Sequence, residues 1–267
     1  MTGLNAIRDS LNVQIVDSGK PYLPEPVTKV LDKEGLFHIW SAWYADLDQL
    51  YPDLSALISP EEKHRAAGFK KNGDGKRYIM RHGFVRAVLS IYTYQTPEQI
   101  PIVEGMNGKP DIEPESNFTK IGFSLSSTDE MVCLGLARKS DIGLDIVKIN
   151  PCYPFFAISR YLFTPGEREW IAQAVPDRRP IRFFRTWALK EALLKVTGGD
   201  VRVMKEADVS RIMTDIFLDG FYSVNIRETD QRCFIHESGC GMGHHRVITA
   251  LPKTKKDPDS RGHNPGS

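Results

Sequence analysis

The sequence predicts an α+β fold made of two blocks alike in order, each with helices first and a meander of strands after. Two observations carry this reading. Helix-type and strand-type stretches come in runs within each block, which separates α+β from a doubly wound parallel sheet. Each block also closes on consecutive strand candidates: "KIGFSLSST", "MVCLGLARK" and "IGLDIVKI" in the first, and "ADVSRIMTDIF", "YSVNIRE", "CFIHES" and "RVITALP" in the second.

The elements follow in chain order. "LFHIWSAWYADL" has the composition of a strand. "SPEEKHRAAGF" opens a helix with Ser59 as N-cap and Glu62 at the third position, the pattern of a capping box. In "GDGKRYIMRHGFVRAVLSIYTY", Tyr78, Ile79, His82, Val85, Arg86 and Leu89 recur at three- and four-residue steps, as a longer helix requires. "EGMNGKPDIEP" is a turn by composition. In the second block "FFAISRYLF", "PGEREWIAQAV" and "FFRTWALKEALLKVTGG" read as helices. The expected division is an arm over 1–34, one half over 35–140, a second over 141–252 and a disordered tail over 253–267.

Composition narrows the class. The chain has 267 residues, 41% hydrophobic and 26% charged, as a soluble globular protein does. Lys plus Arg number 35 against 34 for Asp plus Glu, so a net charge of +1 gives no ground for a nucleic-acid binder. The four cysteines form no CxxC pair, which fits a reduced, cytoplasmic protein. The N-terminus lacks the apolar centre of a signal peptide, and no run of about 18 apolar residues occurs. The sequon at Asn117 is then chance.

The chemistry concentrates in a few places. On a helical wheel Lys190, Glu191 and Lys195 flank the apolar strip of Trp187 and Leu194 instead of taking the opposite face. Asp145 ends an apolar strand, where a carboxylate is either a turn-former or a ligand held at a sheet edge. One acid from a strand and one from a helix can hold a hard cation such as Mg²⁺, which takes one or two carboxylates plus phosphate oxygens. Neighbouring lysines would neutralise those phosphates. The pattern suggests a magnesium–pyrophosphate site, with a surface Lys–Glu pair as the plain alternative. "FSLSST" places hydroxyls at a strand end, which bind phosphate or cap turns. Arg65, Lys70, Lys71, Lys76, Arg77 and Arg81 make the first helices basic.

Together these pieces resemble the surfactin-type 4′-phosphopantetheinyl transferases, over about residues 36–251. Five segments carry the resemblance in order: "ISPEEKHRAAGFKKNGDGKRYIMRHGFVRAVLS", "GKP" at 108–110, "FSLSST" at 123–128, "GLDI" at 143–146, and "FTPGE" with "WALKEALLK" at 163–167 and 187–195. The resemblance implies a pseudo-dimer of two similar α+β halves with the active site in the cleft between them. It also implies transfer of the phosphopantetheine arm of coenzyme A to a serine of an acyl or peptidyl carrier protein, releasing adenosine 3′,5′-bisphosphate. On this reading Asp145 and Glu191 hold Mg²⁺, and Lys190 and Lys195 offset charge on the pyrophosphate. Glu191, Glu167 or a water on the metal takes the serine proton. Lys109 and Pro110 lie against the adenine, while Ser126, Ser127, Arg65 and Arg77 gather around the 3′-phosphate. A monomeric enzyme follows.

Two positions depart from the family pattern. Val147 stands where the metal motif often has a third acid, which implies altered metal dependence. Ser127 stands where histidine is usual, which exchanges a charge-assisted hydrogen bond for a neutral one. They admit two alternatives: an inactive relative that only binds coenzyme A or a carrier, and a Mg²⁺-dependent hydrolase of nucleotide pyrophosphates. "HESGCGMGHH", with His236, Cys240, His244 and His245, matches no zinc spacing and reads as a hairpin loop. "GCGMG" precedes a strand and so is no dinucleotide fingerprint. No GxSxG nucleophile occurs.

Overall fold

The computed structural model of the chain describes residues 12–17, 36–71, 73–105, 108–199, 201–227 and 229–251. Strand β1 (Asn12–Asp17) pairs antiparallel with β2 (Leu36–Trp43). Helices α1 (Tyr44–Gln49), α2 (Tyr51–Leu57), α3 (Pro60–Ala67) and α4 (Asp74–Thr93) follow. After a short hairpin, β3 (Ile102–Glu104) and β4 (Pro110–Ile112), come β5 (Ile121–Ser127) and β6 (Met131–Arg138). Next are β7 (Asp141–Lys148), α5 (Phe155–Leu162), α6 (Pro165–Ala172), α7 (Arg179–Thr197) and α8 (Val201–Glu206). The chain closes with β8 (Asp219–Ile226), β9 (Thr229–Gly241) and β10 (His244–Leu251).

The fold is α+β. One antiparallel sheet runs β1-β2-β6-β5 and the other β7-β10-β9-β8. β7, expected to close the first block, opens the second sheet instead, and in both sheets the strand that precedes the helices pairs with the last strand, which pairs with the one before it. The short helices α3 and α6 repeat a device as well. Each opens with a capping box, Ser59 with Glu62 and Thr164 with Glu167, followed by proline at the first helical position. Each box glutamate then takes a cation from its long helix: Arg86 of α4 reaches Glu62, and Lys190 of α7 reaches Glu167.

β6 shows why its sequence is apolar throughout. Val132, Leu134 and Leu136 join the core beneath α4, while Met131, Cys133 and Ala137 join a second core shared with Ile142, Leu144 and Ile146 of β7. Alternate residues of a strand face opposite ways, so both faces are covered. The sheets thus stack, with α4 outside one and α7 outside the other.

Four expectations need correcting. "ADVSRIMTDIF" makes no ladder; it has a single bridge, Asp208 to Asn225. Side chains take its backbone groups instead. Glu167 accepts from Val209 N and Asp208 from Ser210 N, while Arg185 donates to the carbonyls of Thr214 and Ile216. α8 was not expected, and α7 begins at Arg179. The glycine-rich segment is mostly strand. β9 runs to Gly241, and the turn uses left-handed conformations at Gly241, Met242 and Gly243. Of the arm over 1–34, residues 12–17 form an edge strand and the remainder lies outside the described residues, as does the tail over 253–267.

Candidate active site

The site grows from one close contact between β7 and α7. Gly143 offers no side chain, and backbone atoms of Ala192 and Val196 lie over it, so the helix rests directly on the strand. Asp145, two residues further on the same face of β7, is 6% exposed. Lys195, three residues beyond Ala192, donates to Asp145 Oδ1 at 2.7 Å and to Leu144 O at 2.9 Å. Glu191 lies beside them. Burial, and then the neighbouring Asp145 carboxylate, raise its carboxyl above the usual range against the opposing pull of Lys195. Two carboxylates packed this closely are a hard-oxygen donor set that a cation would relieve. The structure therefore brings Asp145, Glu191 and Lys195 together.

β5 borders β7, and its serines complete that edge. Ser124 Oγ accepts from Leu144 N at 2.9 Å, and Ser126 Oγ accepts from Ile146 N while donating to Asp145 Oδ1 at 2.8 Å. Edge N–H groups need acceptors, and these hydroxyls supply them. Ser126 is thus turned toward Asp145 and away from the phosphate role expected of it. Ser127 points the other way, beside the Tyr44 hydroxyl, whose pKa burial raises.

Lys190 and Glu167 do not reach this cluster. Both are 0% exposed. Lys190 Nζ donates to both Glu167 oxygens at 2.8 Å and to Ala207 O. Glu167 also accepts from the Thr164 and Val209 backbone N–H groups. Burial lowers the Lys190 pKa, and the Glu167 carboxylate opposes that shift. A buried charge must be paired, so this pair is spent on holding α6, α7 and the 207–209 segment together. The expectation that Lys190 faces pyrophosphate and that Glu167 takes a proton is corrected accordingly. Val147 shares the Asp145 face of β7 and packs into the apolar cluster with Phe155 and Phe163.

Two adjoining cavities open on the first block. The larger, about 900 Å³, is lined by Arg65, Arg81, His82, Gly108, Pro110, Ser126 and Ser127 among others. The smaller, about 540 Å³, is lined by Tyr44, Arg77, Arg81, Ser127, Thr128 and Lys148. Lys109 itself turns from the cavity to donate to Ile142 O at 2.7 Å. Arg77 reaches the smaller cavity but is paired with Asp129 at 2.7 Å. Phe69 and Tyr78 border both, and Tyr78 stacks on His82 with centroids 3.8 Å apart. His82 and Arg86 both bond Glu62; burial works against ionising this carboxyl, but those bonds outweigh it and hold the pKa at about 2.

Sequence reasoning did not assign Arg81, Tyr44 or Lys148 to the site. Arg81 had a legible signal, since it lies four residues after Arg77 on the same helical face. Its Nε is buried without a hydrogen-bond partner among the described residues. Leaving a buried donor unmet costs about 1–3 kcal/mol, more for a charged group.

The matches to known proteins are all to one kind of enzyme. The family model of the 4′-phosphopantetheinyl transferase superfamily covers residues 141–249, the stretch carrying Asp145, Glu191 and Lys195. The 4′-phosphopantetheinyl transferase HetI of Nostoc is 25% identical over 194 residues, 73% of this chain and 81% of that protein. AcpT of Escherichia coli O157:H7, also a 4′-phosphopantetheinyl transferase, is 33% identical over 114 residues, 43% of this chain and 55% of its own. The human L-aminoadipate-semialdehyde dehydrogenase-phosphopantetheinyl transferase is 27% identical over 228 residues, 77% of this chain and 69% of that protein. Over residues 141–249 the chain is thus similar to the 4′-phosphopantetheinyl transferase superfamily.

Proposed function

We infer that this protein transfers the 4′-phosphopantetheine arm of coenzyme A to a serine hydroxyl of an acyl or peptidyl carrier protein. The observation that carries the reading is the Asp145–Glu191–Lys195 cluster, built on the Gly143–Ala192 contact and lying beside two cavities that Arg81 and Ser127 both line. In the reaction the carrier serine oxygen bonds to the β-phosphorus of coenzyme A and the pyrophosphate bridge breaks. Adenosine 3′,5′-bisphosphate leaves, and the serine proton passes to a base.

Asp145 and Glu191 suit Mg²⁺, whose bound charge would polarise the pyrophosphate. Lys195, already on Asp145, supplies a second cation where negative charge grows on the leaving phosphate. Burial of Glu167 leaves Glu191 as the carboxylate within reach of an incoming hydroxyl. The larger cavity receives the adenine against Gly108 and Pro110. The halves meet at 140/141. The enzyme works as a monomer, since both halves of the cleft come from one chain, and acts in the cytoplasm, in keeping with its free cysteines.

The test is intact-mass spectrometry of apo carrier proteins incubated with the protein, coenzyme A and Mg²⁺. Gain of one phosphopantetheinyl arm on a carrier is the expected result. No gain on any carrier, with coenzyme A binding intact, would favour a binding protein instead.

A further inference from the structure

β7 is an edge strand. It pairs with β10 on one side, and β5 borders the other with no ladder between them among the described residues. Ile142, Leu144 and Ile146 are buried and turn their backbone groups to that free edge, where each group needs a partner. Side chains supply them. The N–H groups of Leu144 and Ile146 donate to Ser124 Oγ and Ser126 Oγ. Two ammonium groups meet the carbonyls: Lys195 Nζ donates to Leu144 O at 2.9 Å, and Lys109 Nζ donates to Ile142 O at 2.7 Å. Lys195 comes from α7 of the second block. Lys109 comes from the first block, 33 positions before its acceptor.

Lys109 stands where a cavity wall meets this edge. Gly105 N donates to Lys109 O at 2.8 Å, and a methyl group at Gly105 would stand 2.9 Å from that oxygen, so the backbone at Lys109 is held closely. On either side of it, Gly108 and Pro110 line the larger cavity. One side chain therefore ties the wall of that cavity to a point three residues before Asp145, about 10 Å along the strand. Lys195 holds the next outward carbonyl and Asp145 itself. The strand that carries Asp145 is thus gripped by one lysine from each block. Resting on the coenzyme A reading above, we propose that Lys109 is a positioning residue for the transfer. It keeps Asp145 in place relative to a nucleotide seated against Pro110, and it acts through the β7 backbone without touching ligand or metal. A displacement of about 1 Å in such a site can cost about 10²-fold in rate.

The test compares wild type with Lys109→Met, which removes the donors, and Lys109→Arg, which restores them. Three quantities are read: kcat and KM for coenzyme A, the rise in melting temperature on adding Mg²⁺ alone, and amide hydrogen exchange over residues 141–148 in the free protein. Lys109→Met should lower kcat about tenfold or more while KM changes less than about twofold, the split expected when alignment is lost and ligand binding is not. It should also speed exchange over 141–148 and shrink the Mg²⁺ shift. Lys109→Arg should recover most of each loss. A raised KM with kcat unchanged would make Lys109 a ligand contact and overturn the assignment, as would exchange over 141–148 equal to wild type. Wild type that transfers nothing to any carrier, while Lys109→Met still speeds exchange and loses the Mg²⁺ shift, would sink the transferase reading and leave the tie to β7 standing. Wild type that transfers, with Lys109→Met matching it in rate and exchange, would do the reverse.

Discussion

Gly143 of β7 lies so close under Ala192 of α7 that a methyl group at 143 would stand 1.9 Å from the Ala192 carbonyl oxygen and 2.7 Å from Val196 N. That contact sets the spacing between the strand that carries Asp145 and the helix that carries Glu191 and Lys195. The two motifs "GLDI" and "WALKEALLK" are therefore one structural unit, joined by the smallest residue of each.

Gly143→Ala should force α7 off β7, because the atoms in the way are backbone and cannot rotate aside. Overpacking of this kind costs about 1–3 kcal/mol, read as a lower urea midpoint. Transfer should fall further than stability, since the 2.7 Å Lys195–Asp145 contact opens. Wild-type midpoint and rate together would show that the helix does not depend on this contact.

Glu191→Gln keeps the shape of the side chain and removes its charge. In metal-free solution at neutral pH the variant should unfold at higher urea than wild type, because burial and Asp145 no longer oppose a second carboxylate. Transfer should drop by about 10²-fold or more. Added Mg²⁺ should raise the melting temperature of wild type by mass action and leave the variant unmoved. Equal Mg²⁺ shifts in both proteins would place the ion elsewhere.

Lys190→Met should destabilise the fold by about 3–5 kcal/mol, the cost of stranding a buried partner charge. The double variant Lys190→Met/Glu167→Gln should recover much of this, because the amide still accepts at the α6 N-terminus. Denaturant unfolding of all three proteins measures the coupling. Additive losses would mean that the pair is not the unit described.

Glu237 gives a pH-dependent prediction. Burial opposes its ionisation, but the hydrogen bonds from His245 and Arg185 outweigh this and hold its pKa at about 2. A depressed carboxylate stabilises the fold above its unfolded value near 4.5 and loses that contribution as pH falls toward 2. Glu237→Gln should thus be markedly less stable than wild type at pH 7, and the gap should narrow between about pH 4.5 and 2. A gap that stays constant across that range would show that Arg185 and His245 do not read the charge at position 237.

The sequence by itself determined the α+β class, the capping box at Ser59, the long helices α4 and α7, and the segments that meet around Asp145. These are local facts: helical periodicity, cap chemistry and strand patterning are written in neighbouring residues. It also held Arg81 in view without distinguishing it from Arg77, since both lie on one face of one helix. Only the tertiary structure decided which charges are spent. Lys190 and Lys195 are five residues apart on α7, yet one is sealed against Glu167 and the other reaches Asp145. Likewise Ser126 and Ser127 are neighbours, and the β5–β7 edge turns one hydroxyl inward to the carboxylate and leaves the other to the cavity. The segment over 207–217 has strand composition, but side chains from α6 and α7 claimed its backbone before a ladder could form. Such outcomes depend on which partner arrives from a distant part of the chain, and a desolvated charge or backbone group must take the partner that the packing presents.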